Sequence, residues 1–404
     1  MTNTSSNKNS SFFVPLAIIG TMFFAIGFAL GINSYLIPLL KQELNISSGQ
    51  SYLVLAATFS AFVIFGYPAS LVIKKIGYKR TMALSFLMFA VGFYLYLPSA
   101  AMGSLTLFLV ASFISGMGNT FLQATVNPYI TILGPMESAA KRMSIMGIAN
   151  KLAWPIAPMF LALVIGKSVD NVQLTDINLP FYIIIAVFLA LGVLAFIAPL
   201  PEVKAAGEEE GKEDESPYAA TKTSIWQFPH LLLGVLALFL YVGAETIALG
   251  TLVDYADTLG LPNPEHYAWI APIGLVIGYI AGIIFIPKYI AQDKALLICA
   301  ISAIIGSLAV VLVPGDVSIY FIVFIALGES LMWPALWPLA MADLGKFTKT
   351  GSSLMVIAIV GGALIPTIYG FLKDAIGAQE AYWLILPIFV YILYYALSGH
   401  KIRN

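Results

Sequence analysis

Apolar residues run along this chain in blocks of about 20 to 30, each long enough to cross a hydrocarbon core of about 30 Å as a helix. The blocks predict spans at 12–40, 51–73, 80–98, 105–133, 139–167, 180–200, 228–258, 266–287, 294–313, 317–343, 350–372 and 380–399. Within hydrocarbon every backbone N–H and C=O must be satisfied inside the segment, so runs of this length read as α-helices. The strict alternation expected of a membrane barrel is absent. The first 11 residues are polar and lack the charged-then-apolar pattern of a cleaved leader, so the first block reads as the first span.

Composition agrees with the pattern. Hydrophobic residues make up 60% of the chain and charged residues 10%, where a soluble protein carries about 25% charge. The expected class is therefore an all-α, multi-pass membrane protein. With the amino terminus in the cytoplasm, sixteen of the 20 Lys and Arg residues fall at cytoplasmic ends: Lys8, Lys74, Lys75, Lys79, Arg80, Lys141, Arg142, Lys204, Lys212, Lys222, Lys288, Lys294, Lys346, Lys349, Lys401 and Arg403. Lys41, Lys167 and Lys373 fall on the other side, and Lys151 lies inside a span. The positive-inside rule then places both termini in the cytoplasm, as an even number of spans requires. Cys299 stands alone, His230, His266 and His400 show no ligand spacing, and no Walker-type glycine loop occurs. No metal, cofactor or catalytic constellation is expected, and the chain does not read as an enzyme.

One stretch breaks the apolar pattern strongly. Between Glu202 and Lys222 lie Glu208, Glu209, Glu210, Glu213, Asp214 and Glu215, a solvated linker. It divides the chain into a cytoplasmic tail (1–11), a six-helix bundle (12–200), the linker (201–227), a second six-helix bundle (228–399) and a short cytoplasmic tail (400–404). The halves resemble each other. Ser144-Ile145-Met146-Gly147-Ile148-Ala149 aligns with Ser353-Leu354-Met355-Val356-Ile357-Ala358, and Asn127-Pro128 with Trp333-Pro334, followed by Leu133-Gly134 and Leu344-Gly345. Parallel six-helix repeats joined in this way resemble the plan of the major facilitator superfamily, in which substrate binds near the bilayer midplane between two rocking halves. The stretch from Gly66-Tyr67-Pro68 to Gly77-Tyr78-Lys79-Arg80 is similar to a degenerate form of the superfamily's glycine-and-basic loop, without its usual acid.

Candidate chemistry lies in the few polar side chains within spans, because burying them is costly unless they find partners or water. Asn119, Gln123 and Asn127 recur at i, i+4 and i+8 and so share one face of span 4. Their repeat partners in span 10 are Glu329 opposite Gln123 and Trp333 opposite Asn127, with Trp337 one step further on. Amides and a carboxylate hydrogen-bond hydroxyls in both senses, and indole faces pack on the C–H faces of a pyranose, so the set suits a sugar. Amides joining helices and an interfacial tryptophan belt are the structural alternative. Lys151, Glu245 and Glu329 each lie about 12 to 17 residues into a span, near mid-membrane at 1.5 Å per residue. A Lys–carboxylate pair there serves either as an ion-coupling device or as a static lock. Asp254, Asp257 and Glu43, close to span ends, are expected to be solvated.

The same residues carry a family resemblance. The stretch from Gln123-Ala124-Thr125-Val126-Asn127-Pro128 through Leu133-Gly134-Pro135 to Lys141-Arg142 resembles the span 4–5 signature of the fucose–galactose–glucose:proton symporter family. Ser144 to Asn150-Lys151, Lys222-Thr223-Ser224-Ile225-Trp226-Gln227-Phe228-Pro229-His230, Trp333-Pro334-Ala335-Leu336-Trp337-Pro338 and Ala381-Tyr382-Trp383 resemble its glucose/galactose transporter branch. The resemblance implies a substrate pathway through Asn33 and Asn150. It also marks departures: Ser34 and Gln123 stand where fucose/proton symporters of the family carry acids, and neither can release a proton.

The resulting expectation is a secondary active transporter of the bacterial inner membrane that imports a glucose/galactose-type monosaccharide by cation-coupled alternating access. Its substrate contacts would be Asn33, Gln123, Asn127, Asn150, Glu329 and Trp333, and its ion-coupling residues Lys151, Glu245 and Glu329. Its partners would be the sugar, a proton or sodium ion and the lipid bilayer, with no nucleic acid, and the protein is expected to be a monomer. The alternatives are an uncoupled facilitator, a carrier of an amino sugar or other small metabolite, and a non-transporting sugar sensor.

Overall fold

The computed structural model describes residues 10–132, 139–167, 171–200, 217–286 and 288–403. Among them, twelve helices are long and apolar enough to cross a membrane: spans 1 to 6 are Val14–Glu43, Ser48–Ile73, Lys75–Met102, Leu105–Asn127, Arg142–Ile165 and Leu174–Ile197. Spans 7 to 12 are Pro229–Gly250, Pro264–Phe285, Gln292–Leu312, Asp316–Met341, Leu354–Ile376 and Glu380–Lys401. The acidic part of the linker (201–216), the amino-terminal tail (1–9) and the loop at 133–138 lie outside the described residues.

The spans form two six-helix bundles with matching internal packing. Span 1 packs on span 5 as span 7 packs on span 11, and span 3 packs on span 6 as span 9 packs on span 12. Between the bundles, span 2 meets span 11 and span 5 meets span 8. Hydrophobicity alone does not drive helices together in lipid, so packing rests on close fit. In the first half a phenylalanine seam supplies it: ring centroids lie 5.0 Å apart for Phe89–Phe188, 5.3 Å for Phe93–Phe181 and 5.3 Å for Tyr96–Phe181. Elsewhere small residues do so. Gly27 and Gly31 of span 1 lie directly against the backbone of Asn150 and Trp154 in span 5, leaving no room for a Cβ.

The expected 2–3 loop shrinks to a single residue. One helix runs Leu53–Met102, and only Gly77 leaves helical geometry, at φ 81°. Glycine adopts that left-handed conformation without the steric penalty other residues meet.

Three spans of the second half that hydropathy predicts as single rods are broken inside their length, whereas span 2 of the first half has only a turn at Tyr52, between Ser48–Ser51 and Leu53–Met102. Span 7 continues past Gly250 as a separate turn of helix, Leu252–Thr258. Span 10 divides into Ile322–Glu329 and Met332–Met341, and span 11 into Thr348–Ala358 and Gly361–Ile376. In the first half the helices of spans 1, 4 and 5 run unbroken over Ser10–Glu43, Leu105–Ile132 and Ala139–Ile165, despite Pro15, Pro38, Pro155 and Pro158. A break in hydrocarbon needs new partners for the freed backbone groups, which hydroxyls can provide. Here the Ser330 hydroxyl donates to Leu327 O at 2.7 Å, while at the span 7 break Ile247 O keeps its backbone bond from Thr251 N at 3.1 Å and accepts the Thr251 hydroxyl as well. Apolar composition is unchanged across each break, which is why a hydropathy pattern does not register it.

Filling the span 1–5 contact should be destabilising by about 1–3 kcal/mol or more. Gly31→Leu is expected to lower the melting temperature and yield of the detergent-purified protein. Gly66→Ala, whose Cβ would meet only Val356 Cγ1 at 3.4 Å, should be tolerated. Equal melting of the two variants would mean that the span 1–5 approach is not the constraint described here.

Candidate functional site

Ionisable groups of spans 5, 7 and 10 meet at the seam between the halves. Lys151 of span 5 reaches across to Glu245 of span 7, with Nζ 2.9 Å from Oε2 and both side chains only about a tenth exposed. One helical turn before Glu245, the Tyr241 hydroxyl donates to its other oxygen at 2.6 Å. Both carboxylate oxygens are therefore engaged, as a buried charge requires. The Tyr241 ring lies 6.5 Å from that of Trp333, and Trp333 stacks on Trp337 at 5.5 Å. Trp337 thus covers one face of the Trp333 indole.

Glu329 is the last residue before the break in span 10. It is fully buried, and neither carboxylate oxygen has a hydrogen-bond partner among the described residues. It lies within electrostatic reach of Lys151, Glu245 and Tyr241. A lone ionised carboxylate is among the costliest groups to bury, so this position calls for a proton, a cation or a hydroxyl donor.

The amides of the first half are arranged differently. The Gln123 side chain donates to Asn119 Oδ1 at 2.7 Å, so two members of the span 4 stripe face each other, while Asn119 Nδ2 has no partner among the described residues. Asn127 is half-buried on the same helix. Asn33 donates to Leu30 O in its own helix at 3.2 Å and keeps a buried, unpartnered Oδ1. Asn150 donates to Phe23 O at 3.0 Å, tying span 5 to span 1. The Ser34 hydroxyl donates to Leu249 O at 3.4 Å, across the seam and just before the break in span 7. Of the residues expected at the site, Lys151, Glu245, Glu329 and Trp333 form one cluster around Tyr241. Gln123 and Asn150 use their amides within their own half.

The sequence reading missed Tyr241, although its i−4 spacing from Glu245 put it on the same helical face. It also took Asp254 for a solvated residue. Asp254 is 1% exposed; its Oδ2 accepts from Tyr52 at 2.7 Å and from Lys373 at 2.6 Å. Those partners lie 202 and 119 residues away in the chain, and no local spacing connects them.

A profile of the Major Facilitator Superfamily matches residues 18–366. A glucose/galactose transporter of Brucella abortus is 34% identical over 99% of this chain and 97% of its own length. A putative glucose/galactose transporter of Helicobacter pylori is 32% identical over 96% and 97%. Among solved structures, the fucose:proton symporter of E. coli superposes with a TM-score of 0.70 at 25% identity, covering 98% of this chain and 99% of that one.

Removing one partner of the central ion pair should cost about 3–5 kcal/mol, because it strands the other charge in a dry seam. Lys151→Met is therefore expected to melt well below the parent protein in detergent. Lys151→Met/Glu245→Gln should recover much of the loss, with a coupling of about 1 kcal/mol or more. Strictly additive effects of the two changes would mean that the 2.9 Å contact contributes nothing.

Proposed function

We propose that this chain, which belongs to the Major Facilitator Superfamily, imports a glucose- or galactose-type monosaccharide by cation-coupled alternating access across a bacterial inner membrane. The excess of basic residues at the end that carries the termini supports a cytoplasmic placement of that end. The opposite end, where Ser48, Asp254 and Lys373 lie, then faces outward. The relatives named for glucose and galactose transport cover nearly the whole chain and support the substrate class.

The observation that carries the coupling is the cluster at the seam. Lys151 and Glu245 come from opposite halves, and beside them Glu329 is buried with neither oxygen partnered. A proton or a sodium ion taken up here changes the balance of charge between the halves, and hard cations accept oxygen ligands of this kind. A ligand that binds one arrangement of the halves better than the other shifts the equilibrium between them. Ion and sugar sharing that equilibrium then raise each other's affinity by the same factor. Trp333 would offer an indole edge or its uncovered face to the sugar, with Tyr241 beside it. Asn33, Gln123, Asn127 and Asn150 would provide hydrogen bonds from the first half once substrate competes for their present partners.

A second reading has its own observation. Ser34 and Gln123 are hydrogen-bonded to Leu249 O and Asn119, and neither can titrate. A facilitator without coupling needs no titratable group, and the seam would then conduct sugar down its gradient.

Uptake of labelled glucose and galactose into proteoliposomes, with and without imposed pH or sodium gradients, separates the two readings. The coupled reading expects accumulation above equilibrium with one gradient only. Glu329→Gln or Glu245→Gln should then abolish accumulation while leaving sugar exchange intact. Undiminished accumulation in both variants would remove these acids from the coupling step.

At Trp333, Phe should retain more transport than Ala, because it keeps an aromatic face while losing the indole N–H. Equal and near-parental uptake by Trp333→Phe and Trp333→Ala would place the indole away from the sugar.

A further inference from the structure

A second set of bonds between the halves lies at the end opposite the termini, apart from the central cluster. Two acids of the second half hold one short segment of the first. Asp374 accepts from the backbone N–H of Ser48 at 2.9 Å and of Gly49 at 2.8 Å, one bond to each oxygen. Asp254 accepts from the Tyr52 hydroxyl at 2.7 Å. The segment is preformed by its own capping box, in which Ser47 Oγ accepts from Gln50 N at 3.2 Å and Gln50 Oε1 from Ser47 N at 3.0 Å. Close approach is possible because two glycines meet there: a Cβ on Gly370 would lie 3.1 Å from Gly49 Cα and 2.7 Å from Tyr52 Cδ2.

We infer that Asp254 and Asp374 are the latch of the outer gate, with Tyr52 and the amides of Ser48 and Gly49 as its keepers. The inference rests on the alternating-access reading above for its place in a transport cycle. Its chemistry suits a contact that must open and close. The charge of Asp254 is balanced within its own half: Lys373 Nζ lies 2.6 Å from Oδ2 and 2.7 Å from Thr258 Oγ1. The keepers are neutral. When the halves part, the ion pair stays whole, and a phenol and two N–H groups meet incoming water, which replaces the lost bonds. An ion pair split between the halves would instead leave two opposite charges to be hydrated. Hydrogen bonds to a charged acceptor are strong; Asp254 is buried and keeps Lys373 when the halves part, while the exposed Asp374 is already hydrated, so the latch opens without stranding a charge.

Span 7 connects this latch to the central site. Glu245 and Asp254 sit on either side of its break at Thr251, one facing Lys151 and the other facing Tyr52.

The test uses the full-length protein in lipid nanodiscs, with Cys299→Ala to remove the native thiol. Spin labels are placed at the exposed Thr175 and Val317, one on each half at the outer end. Pulsed electron–electron distance measurement reads the fraction of molecules with separated labels. Tyr52→Phe removes one keeper without changing charge, and Asp374→Asn weakens the other acceptor without touching the buried ion pair. Tyr52→Phe should raise the ratio of separated to closed molecules by roughly tenfold or more, the effect of losing one buried hydrogen bond to a charged group, and Asp374→Asn, at an exposed acceptor, should raise it by less. Combining the two should raise it further.

Distance distributions in both variants that superimpose on the parent's would overturn the latch. Adding glucose or galactose keeps the two ideas distinct. If the sugars move the parent's distribution while the variants match the parent, alternating access stands and the latch falls. If the variants shift while neither sugar moves any distribution, the latch stands and the sugar reading falls.

Discussion

Hydrocarbon offers no water to a polar group, and this protein is arranged around that constraint. Its backbone forms helices because each must satisfy its own N–H and C=O groups. At the break in span 10 a hydroxyl is at hand, Ser330 serving Leu327 O. At two places a buried acid has a counter-charge and a hydroxyl beside it: Lys151 and Tyr241 beside Glu245, and Lys373 and Tyr52 beside Asp254. Glu329 departs from this pattern. Both its oxygens are buried without a hydrogen bond, and it stands at the break of span 10 beside the central ion pair. A site that binds an ion or a hydroxyl must keep part of its hydrogen-bonding capacity unspent, and Glu329 does so at the depth where the halves meet.

The two halves share a packing plan but differ mechanically. In the first, the helices of spans 1, 4 and 5 are continuous, and spans 1 and 5 are pressed together at Gly27 and Gly31. In the second, spans 7, 10 and 11 each divide into two pieces. Residues next to these divisions include Glu329 and Gly361, and Asp254 follows the division in span 7 by three positions. The articulated half carries the acids together with Tyr241 and Lys373, while the continuous half supplies Lys151, Tyr52 and the backbone amides of Ser48 and Gly49. Discontinuous helices are a recurrent feature of binding sites in transporters, because they free backbone and side-chain groups at depth without exposing them to lipid.

Contacts across the seam occur at two levels. The central level is ionic and contains groups able to exchange a proton or a cation. The outer level joins acids of one half to neutral donors of the other, with tyrosine rings packed around them: Tyr52–Tyr369, Tyr369–Tyr382 and Tyr255–Tyr382 centroids lie 5.7, 5.1 and 5.2 Å apart. Aromatic edges and faces fill this end with apolar surface while their hydroxyls remain available for hydrogen bonds. The difference matches the roles proposed for the two levels. A coupling site has to change its charge, whereas a gate has to part and rejoin without leaving a charge alone.

Much of this was legible in the chain itself. Apolar block length set the number of spans; the acidic stretch after Glu202 reads as the divide between two halves, and the matched Asn127-Pro128 and Trp333-Pro334 motifs as a pairing of span 4 with span 10. Those features survive in one dimension because hydropathy and repeat spacing are properties of consecutive residues. Depth along a span likewise picked out Lys151, Glu245 and Glu329 as the deep ionisable groups. Only the tertiary structure decided which of them pair. It joined Lys151 to Glu245, left Glu329 without a hydrogen bond, turned Gln123 toward Asn119 and Asn150 toward Phe23 O, and buried Asp254 against Tyr52 and Lys373. Pairing in a helical membrane protein is settled by rotation about each helix axis and by where a helix breaks. Neither is fixed by composition, since a 100° turn per residue carries a side chain from lipid to seam with no change in hydropathy.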